Sequence, residues 1–188
     1  ELLFTTDGSV PTATVGIRYR QPVILDADYP ALTVFRAVEV VNGVVGEVGH
    51  AAYLVGVEND LPVVSLTVEP ADLWDADRGI LTHPWERGRD WERAAHVAYL
   101  DAGGELGFEA GMGLRTHRMA PFDAPKPSLR LYARQDYGPA RLTYPLFPEA
   151  PGAATEDGER LGIDRLLLQA GNQTQVWPLL QDQLIADA

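Results

Sequence analysis

The chain has 188 residues, of which 46% are apolar, and carries a formal charge of −12 from 15 basic and 27 acidic side chains. This acidic balance argues against nucleic-acid binding and against attachment to an anionic membrane surface. The absence of cysteine excludes disulfides, thiolate metal sites and a cysteine nucleophile, and no apolar run approaches the roughly 18 residues of a transmembrane helix.

Residues 1–57 are predicted to form a partial antiparallel β-sandwich. Strand-like runs of apolar residues occur at 23–25 and 33–38. Asn42-Gly43 lies between two pairs of valines and predicts a tight hairpin, because a type I′ turn needs positive φ at both central residues. Short strands separated by frequent turn signals favour a sandwich.

A group of residues in this first part matches a known module: Thr5 to Thr12, Tyr19, Pro22, Arg36 and Ala37. In this order they resemble the C-terminal β-sandwich module of chitobiase and β-hexosaminidase proteins, without its opening strands. Within the group, Asp7 and Ser9 are expected to organise a turn through side-chain-to-backbone hydrogen bonds. A direct carbohydrate contact through this module is the less favoured alternative.

Residues 61–188 are predicted to form an α+β unit with an antiparallel sheet and a C-terminal helix, so the predicted fold class is mainly β with an α+β second part. A polar join that ends in Pro62 separates it from the first part. A helix is expected to begin near Pro178, because proline suits the first helical position. The strands are expected at five places: 63–68, 95–100, 106–114, 128–134 and 163–168.

Other features of this second part have structural explanations. The acidic run at 75–79 begins like a calcium loop but lacks the later ligands, so a turn is predicted and no metal site. Trp74, Trp85 and Trp91 are expected to pack inside, and Glu92-Arg93 to form an ion pair. A carbohydrate-processing enzyme is disfavoured, because no pair of carboxylates stands out.

The second part also contains a series of blocks in a fixed order: LPVVSLTVEPADLWDADRGIL, PWERGRDWERAAHVAYLD, GLRTH, KPSLRLYAR, YGPARLTYPLFPE, IDRLLLQAGNQ and LLQDQL. Together they resemble the N-terminal part of the CotH family, atypical protein kinases first known from spore coats. The resemblance covers nearly all of residues 61–188. It implies a kinase-like N-terminal lobe, ATP and Mg²⁺ as cofactors, a protein substrate phosphorylated on Ser or Thr, and an exported or cell-surface parent protein.

The resemblance also implies a set of nucleotide-binding candidates: Lys126, Arg130, Arg115, His117 and Asp182. Lys126, the only lysine in the chain, is expected to touch phosphate, with Asp182 as its orienting carboxylate. An ordinary surface ion pair between these two is the alternative. For His117, a structural role is the alternative to a catalytic one, since no base partner or metal spacing is visible.

The chain departs from the family pattern at several positions. Residues 118–120 replace the usual glycines, and Pro127 replaces the second of two basic residues. Gln169 and Gln181 stand where relatives carry arginine. These losses of cationic or flexible residues imply a differently placed nucleotide or a weak catalyst.

No catalytic residue is assigned within the chain. A kinase-like domain keeps its metal-binding and catalytic acids mainly in a second lobe, which the resemblance places beyond Ala188. The chain opens in a strand-like pattern and closes in a helical one, so both ends are expected to be cuts in a longer protein. The chain by itself is therefore expected to be inactive. The alternative is an exported surface or binding scaffold, either a pseudokinase or a carbohydrate-associated module.

Overall fold

The structure is a computed structural model that describes residues 1–26, 32–56, 60–117, 127–146 and 162–170. These residues form two antiparallel sheets with little helix, which confirms the predicted mainly β class. The helices among them are a single α-turn, α1 (Pro70–Trp74), and a short 3-10 turn, Arg89–Trp91. The helix predicted near Pro178 lies outside the described residues.

The first sheet contains four strands: β1 (Leu2–Thr5), β2 (Ile17–Arg18), β3 (Leu32–Val41) and β4 (Val44–Leu54). Their spatial order is β2-β1-β3-β4. The predicted β3–β4 hairpin is confirmed, since Val41 pairs with Val44 and the φ angles of Asn42 and Gly43 are 52° and 80°. The predicted turn near the N-terminus is also confirmed, because Asp7 Oδ1 accepts hydrogen bonds from the Ser9 N–H (2.9 Å) and hydroxyl (2.6 Å).

The strand predicted at residues 23–25 is wrong. This segment joins no sheet; it lies across one face of the first sheet, where it lines a cleft of about 450 Å³ with Phe4 and Tyr53. Pro22 has no N–H to donate to a ladder, and the side chain of Ile24 is 78% exposed. The run is therefore apolar because it covers aromatic rings, not because it forms a strand.

The second sheet contains five strands: β5 (Val63–Val68), β6 (Arg93–Leu100), β7 (Leu106–His117), β8 (Ser128–Tyr132) and β9 (Arg165–Leu168). They follow one another in space as they do in sequence, each antiparallel to the next. One face carries the core, in which Val97, Met112 and Leu131 are fully buried. Ile80 from the loop after α1 is part of this core, and Trp91 packs against it.

Two of the three tryptophans were wrongly predicted to be internal. Trp91 does pack against the core, beside the His83 ring (5.1 Å between centroids). Trp74 is 65% exposed and Trp85 is also exposed. Helix α1 has a single turn, and Leu73 rather than Trp74 packs against the core. Trp85 lies in a loop that meets the sheet through its backbone, where the Pro84 carbonyl accepts a hydrogen bond from the Thr116 hydroxyl (3.2 Å).

Buried polar side chains join the two sheets. Arg36 of β3 donates to the Gly8 carbonyl (2.8 Å) and lies 3.4 Å from the carboxylate of Glu69, just after β5. The rings of His50 (β4) and His96 (β6) stack at 4.1 Å. Burial lowers the pKa of His50 to about 4 and also lowers the pKa of His96, since the nearby Glu109 offsets burial only in part. The contact between the sheets therefore favours neutral imidazoles over protonated ones.

Replacing His50 by glutamine is expected to weaken the pH dependence of stability between pH 6.5 and about pH 4. The folded-state pKa of His50 is about 4, below its ordinary 6.5, so in this range the unfolded chain binds a proton that the folded chain does not. The free energy of unfolding should therefore fall as pH falls from 6.5 toward 4. Urea unfolding across this range measures the slope for the wild type and for His50→Gln.

The matched control is His83→Gln, which changes an imidazole that contacts Trp91 rather than the other sheet. This variant should keep the wild-type slope. Equal slopes for the wild type and His50→Gln would contradict the assigned role of the stacked histidines.

Candidate functional site

Two arginines predicted to bind nucleotide lie side by side on the face of the second sheet opposite the core. Arg115 of β7 and Arg130 of β8 are directly opposite each other in the ladder. Residues that are opposite in an antiparallel pair place their side chains on the same face, and like charges in such a pair are unfavourable. An anion beside either arginine would reduce this repulsion.

Glu92 supplies that anion. Its side chain is 0% exposed, and its carboxylate oxygens lie 3.1 Å from Arg115 Nη2 and 3.0 Å from Arg134 Nε. Neither oxygen meets an N–H in aligned hydrogen-bond geometry, so these are charge contacts. One buried carboxylate thus faces two guanidinium groups while Arg130 stands next to them, so these four side chains of the described residues carry a net positive charge. We call this surface the cationic face, defined by Glu92, Arg115, Arg130 and Arg134.

An aromatic ring supports the same two cations. The guanidinium carbons of Arg115 and Arg134 lie over the Tyr132 ring, at 4.1 and 4.9 Å from its centroid. Tyr132 is buried, and cations over an aromatic face are attracted by its quadrupole. The ring therefore fixes the directions of both side chains.

Glycines in β7 make room for this cluster. A Cβ on Gly113 would come 2.6 Å from Glu92 Oε1 and 2.7 Å from the Tyr137 ring, and a Cβ on Gly111 would overlap the Tyr137 carbonyl oxygen. Tyr137 belongs to a turn in which its own N–H donates to the Arg134 carbonyl (3.0 Å). Burial, and then the charge of Glu92, raises the pKa of Tyr137. The Tyr137 turn and the Glu92 side chain therefore pack directly against the backbone of β7 at Gly111 and Gly113.

Arg130 has a local partner in His117. Its Nη2 lies 2.7 Å from His117 Nδ1. A guanidinium group can only donate, so Nδ1 accepts and carries no proton. This contact fits the structural alternative for His117, and a role in binding phosphate stays a prediction.

The structure thus brings together Arg115, Arg130 and His117 from the predicted set. Lys126 and Asp182 lie outside the described residues. The cationic face also includes Glu92 and Arg134, and the Tyr132 ring lies against two of its arginines. The sequence did not assign these three residues to the site.

The predicted ion pair between Glu92 and Arg93 is wrong. Arg93 instead lies 3.8 Å from Asp72 and donates to the Arg78 carbonyl, while Glu92 reaches Arg115 and Arg134. Adjacent residues in extended backbone point to opposite sides, so these two side chains serve different faces of the sheet.

The acidic run at 75–79 forms a turn, as predicted. Asp75 Oδ1 accepts hydrogen bonds from the N–H groups of Asp77 (2.9 Å) and Arg78 (3.1 Å), and these bonds lower the pKa of Asp75. Within the described ranges, no group of three or more His, Asp or Glu side chains is placed to hold a metal ion.

Comparisons of the chain with models of protein families, with curated proteins and with solved structures give no match. In the part of the chain that the structure describes, no helix combines the length and the apolar surface needed to cross a bilayer.

Proposed function

We propose that residues 61–188 form the nucleotide-binding lobe of a CotH-like atypical protein kinase, which transfers phosphate from ATP to Ser or Thr of a protein substrate. The observation that carries this proposal is the cationic face: two directly opposite arginines, Arg115 and Arg130, on a five-stranded antiparallel sheet. The order of the sequence blocks from Leu61 onward supports it. The chain alone is inactive, because the acids that hold metal and orient the hydroxyl belong to a second lobe.

The chemistry of the cationic face fits a phosphate group. Guanidinium forks match phosphate oxygens in two-point hydrogen bonds. Glu92 neutralises one positive charge, and Arg115 and Arg134 already contact it. Arg130 contacts His117, and no carboxylate of the described residues lies within ion-pair distance of it, so its positive charge is available to an anion. In a chain of net charge −12, such a local excess of positive charge favours a specific anionic ligand.

The described residues fit Mg²⁺ less well. Magnesium prefers carboxylate and water oxygens in octahedral geometry, and the described ranges hold no cluster of three such side chains. Phosphate oxygens and the second lobe would supply the metal ligands. The role of this lobe is to bind and orient the phosphates.

A scaffold without catalysis is the second candidate. Arg115 is engaged by the buried Glu92 and stacked on Tyr132, as a purely structural arginine would be. The departures at Pro127, Gln169 and Gln181 favour the same interpretation. In that case the cationic face stabilises the sheet and binds no nucleotide.

Arg130→Gln is expected to weaken MgATP binding by the full-length protein about tenfold, because one charge-assisted hydrogen bond is lost. Isothermal titration calorimetry measures the affinity, and transfer of labelled γ-phosphate to a protein substrate measures activity. Arg20→Gln is the matched control, since Arg20 is exposed and lies beside the first sheet; it should bind as the wild type does. Binding without phosphate transfer would indicate a pseudokinase and overturn the catalytic part of the proposal. Absence of MgATP binding by the wild type, or equal affinity for Arg130→Gln, would overturn the kinase-lobe proposal.

A further inference from the structure

Strand β4 is an unusually long edge strand. It forms one end of the first sheet and contains 11 residues, and among the described strands β3 is the one that pairs with it. Edge strands expose unpaired N–H and C=O groups, and proteins protect them by shortness, charge or proline. The opposite edge, β2, has two residues, one of them Arg18. In the second sheet, β9 is short and begins with Arg165, and β5 directly follows Pro62.

The regular part of β4 lacks these protective features. The register with β3 shifts between Val38 and Val40, which places a bulge near the hairpin turn. From Val48 to Leu54 the ladder is unbroken. This segment contains no Lys, Arg, Asp, Glu or Pro, and burial keeps His50 neutral at pH 7 by lowering its pKa to about 4. Although the chain has a net charge of −12, this uncharged edge can approach the same edge of a second copy without repulsion between its own side chains.

We propose that β4 pairs with β4 of a second copy of this chain, antiparallel, about a twofold axis at Ala51. In this register Tyr53 lies opposite Gly49 of the second copy, and Val48 lies opposite Leu54. Tyr53 is 49% exposed, and an aromatic ring packs well over a cross-strand glycine. The register uses the whole regular run and places His50 opposite Ala52 rather than opposite a second His50.

The resulting assembly is closed. A twofold contact uses the same patch on both copies, so the two four-stranded sheets would join into one continuous sheet with no exposed β4 edge. The side chains along the contact are small at Gly49, Ala51 and Ala52. A cleft of about 460 Å³, between residues 52–54 and the 101–104 turn, opens beside this end of β4.

The first test uses single cysteines, since the chain has none. Ala51→Cys places one thiol from each copy at the twofold axis. Directly opposite residues in an antiparallel pair have Cα atoms about 4.5–5.5 Å apart, within the range of about 4.4–6.8 Å that a disulfide spans. Mild oxidation should convert this variant to a covalent dimer. Val44→Cys, which is exposed and lies beyond the bulge, is the matched control and should cross-link far more slowly.

The second test measures the equilibrium between monomer and dimer by sedimentation velocity at protein concentrations up to roughly 300 µM. This range detects dissociation constants near the micromolar level. The wild type should dimerise reversibly. Gly49→Lys should raise the dissociation constant about tenfold or more, because the new side chain occupies the place of Tyr53 of the second copy, and lysine on an edge strand opposes edge-to-edge pairing. A Cβ at Gly49 comes no nearer than 3.7 Å to its neighbours, so the monomer should stay folded. Val44→Lys should dimerise as the wild type does.

A wild type that stays monomeric over this range would overturn the proposal. So would equal cross-linking of the Ala51→Cys and Val44→Cys variants. The cysteine cross-linking experiment tests the proposed dimer even if Gly49→Lys alters the fold. Both tests are independent of nucleotide binding.

Discussion

Replacing Glu92 by glutamine is expected to lower the free energy of unfolding by about 3 kcal/mol, because removing one partner of a buried ion pair leaves the other charge uncompensated. The Glu92 side chain is fully buried between Arg115 and Arg134. Glutamine keeps the shape, removes the charge and replaces one acceptor oxygen by an NH2 donor, so the three guanidinium groups of the cationic face then repel one another. Urea unfolding at neutral pH measures the loss.

Glu105→Gln is the control for this change, since Glu105 is exposed in the turn before β7. Surface substitutions of this kind usually change stability by about 0.5 kcal/mol or less. Adding salt should restore part of the stability of Glu92→Gln by screening the repulsion. Equal stabilities of the two variants would show that Glu92 does not compensate the arginines.

The same carboxylate connects stability with the proposed function. Glu92 contacts Arg115 and Arg134, which lie over the Tyr132 ring, and no carboxylate among the described residues forms such a contact with Arg130. A phosphate group that binds Arg130 would reduce the repulsion between Arg130 and Arg115. Nucleotide binding should therefore stabilise the folded chain, as any ligand specific for the folded state does.

Local sequence signals predicted the local structure well. The Asn42-Gly43 hairpin follows from the positive φ that both positions require, and the structure shows both. The turn between β6 and β7 also follows from local chemistry, since Asp101 Oδ1 accepts hydrogen bonds from the Gly103 and Glu105 N–H groups. Such turns are determined by a few adjacent residues, so one sequence is enough to find them.

The composition of the site could not be predicted in this way. Glu92 meets Arg115 and Arg134 only because β6, β7 and β8 lie side by side, a relationship that spacing in the sequence does not encode. The nearest sequence signal was the pair of glycines at 111 and 113 in a predicted strand. Glycine inside a strand often marks close approach of another backbone. That signal locates the surface of contact but not its partner.

The partner is the turn that contains Tyr137, and Gly111→Ala is the sharpest test of it. The added Cβ would overlap the Tyr137 carbonyl oxygen. Because that atom belongs to backbone in a hydrogen-bonded turn, it cannot rotate away, and either β7 or the turn must move. We expect a loss of about 3 kcal/mol or more, at the upper end of overpacking effects, measured by urea unfolding, or failure to yield soluble protein.

Two further glycine variants give the expected order of effects. Gly113→Ala should be less damaging than Gly111→Ala, because its nearest neighbours are the side chains of Glu92 and Tyr137, which can shift. Gly49→Ala should be neutral or slightly stabilising, since its Cβ has room and alanine loses less conformational freedom on folding than glycine. A Gly111→Ala variant as stable as Gly49→Ala would show that the turn does not pack on β7. The cationic face would then lack the support that holds Arg134 beside Glu92.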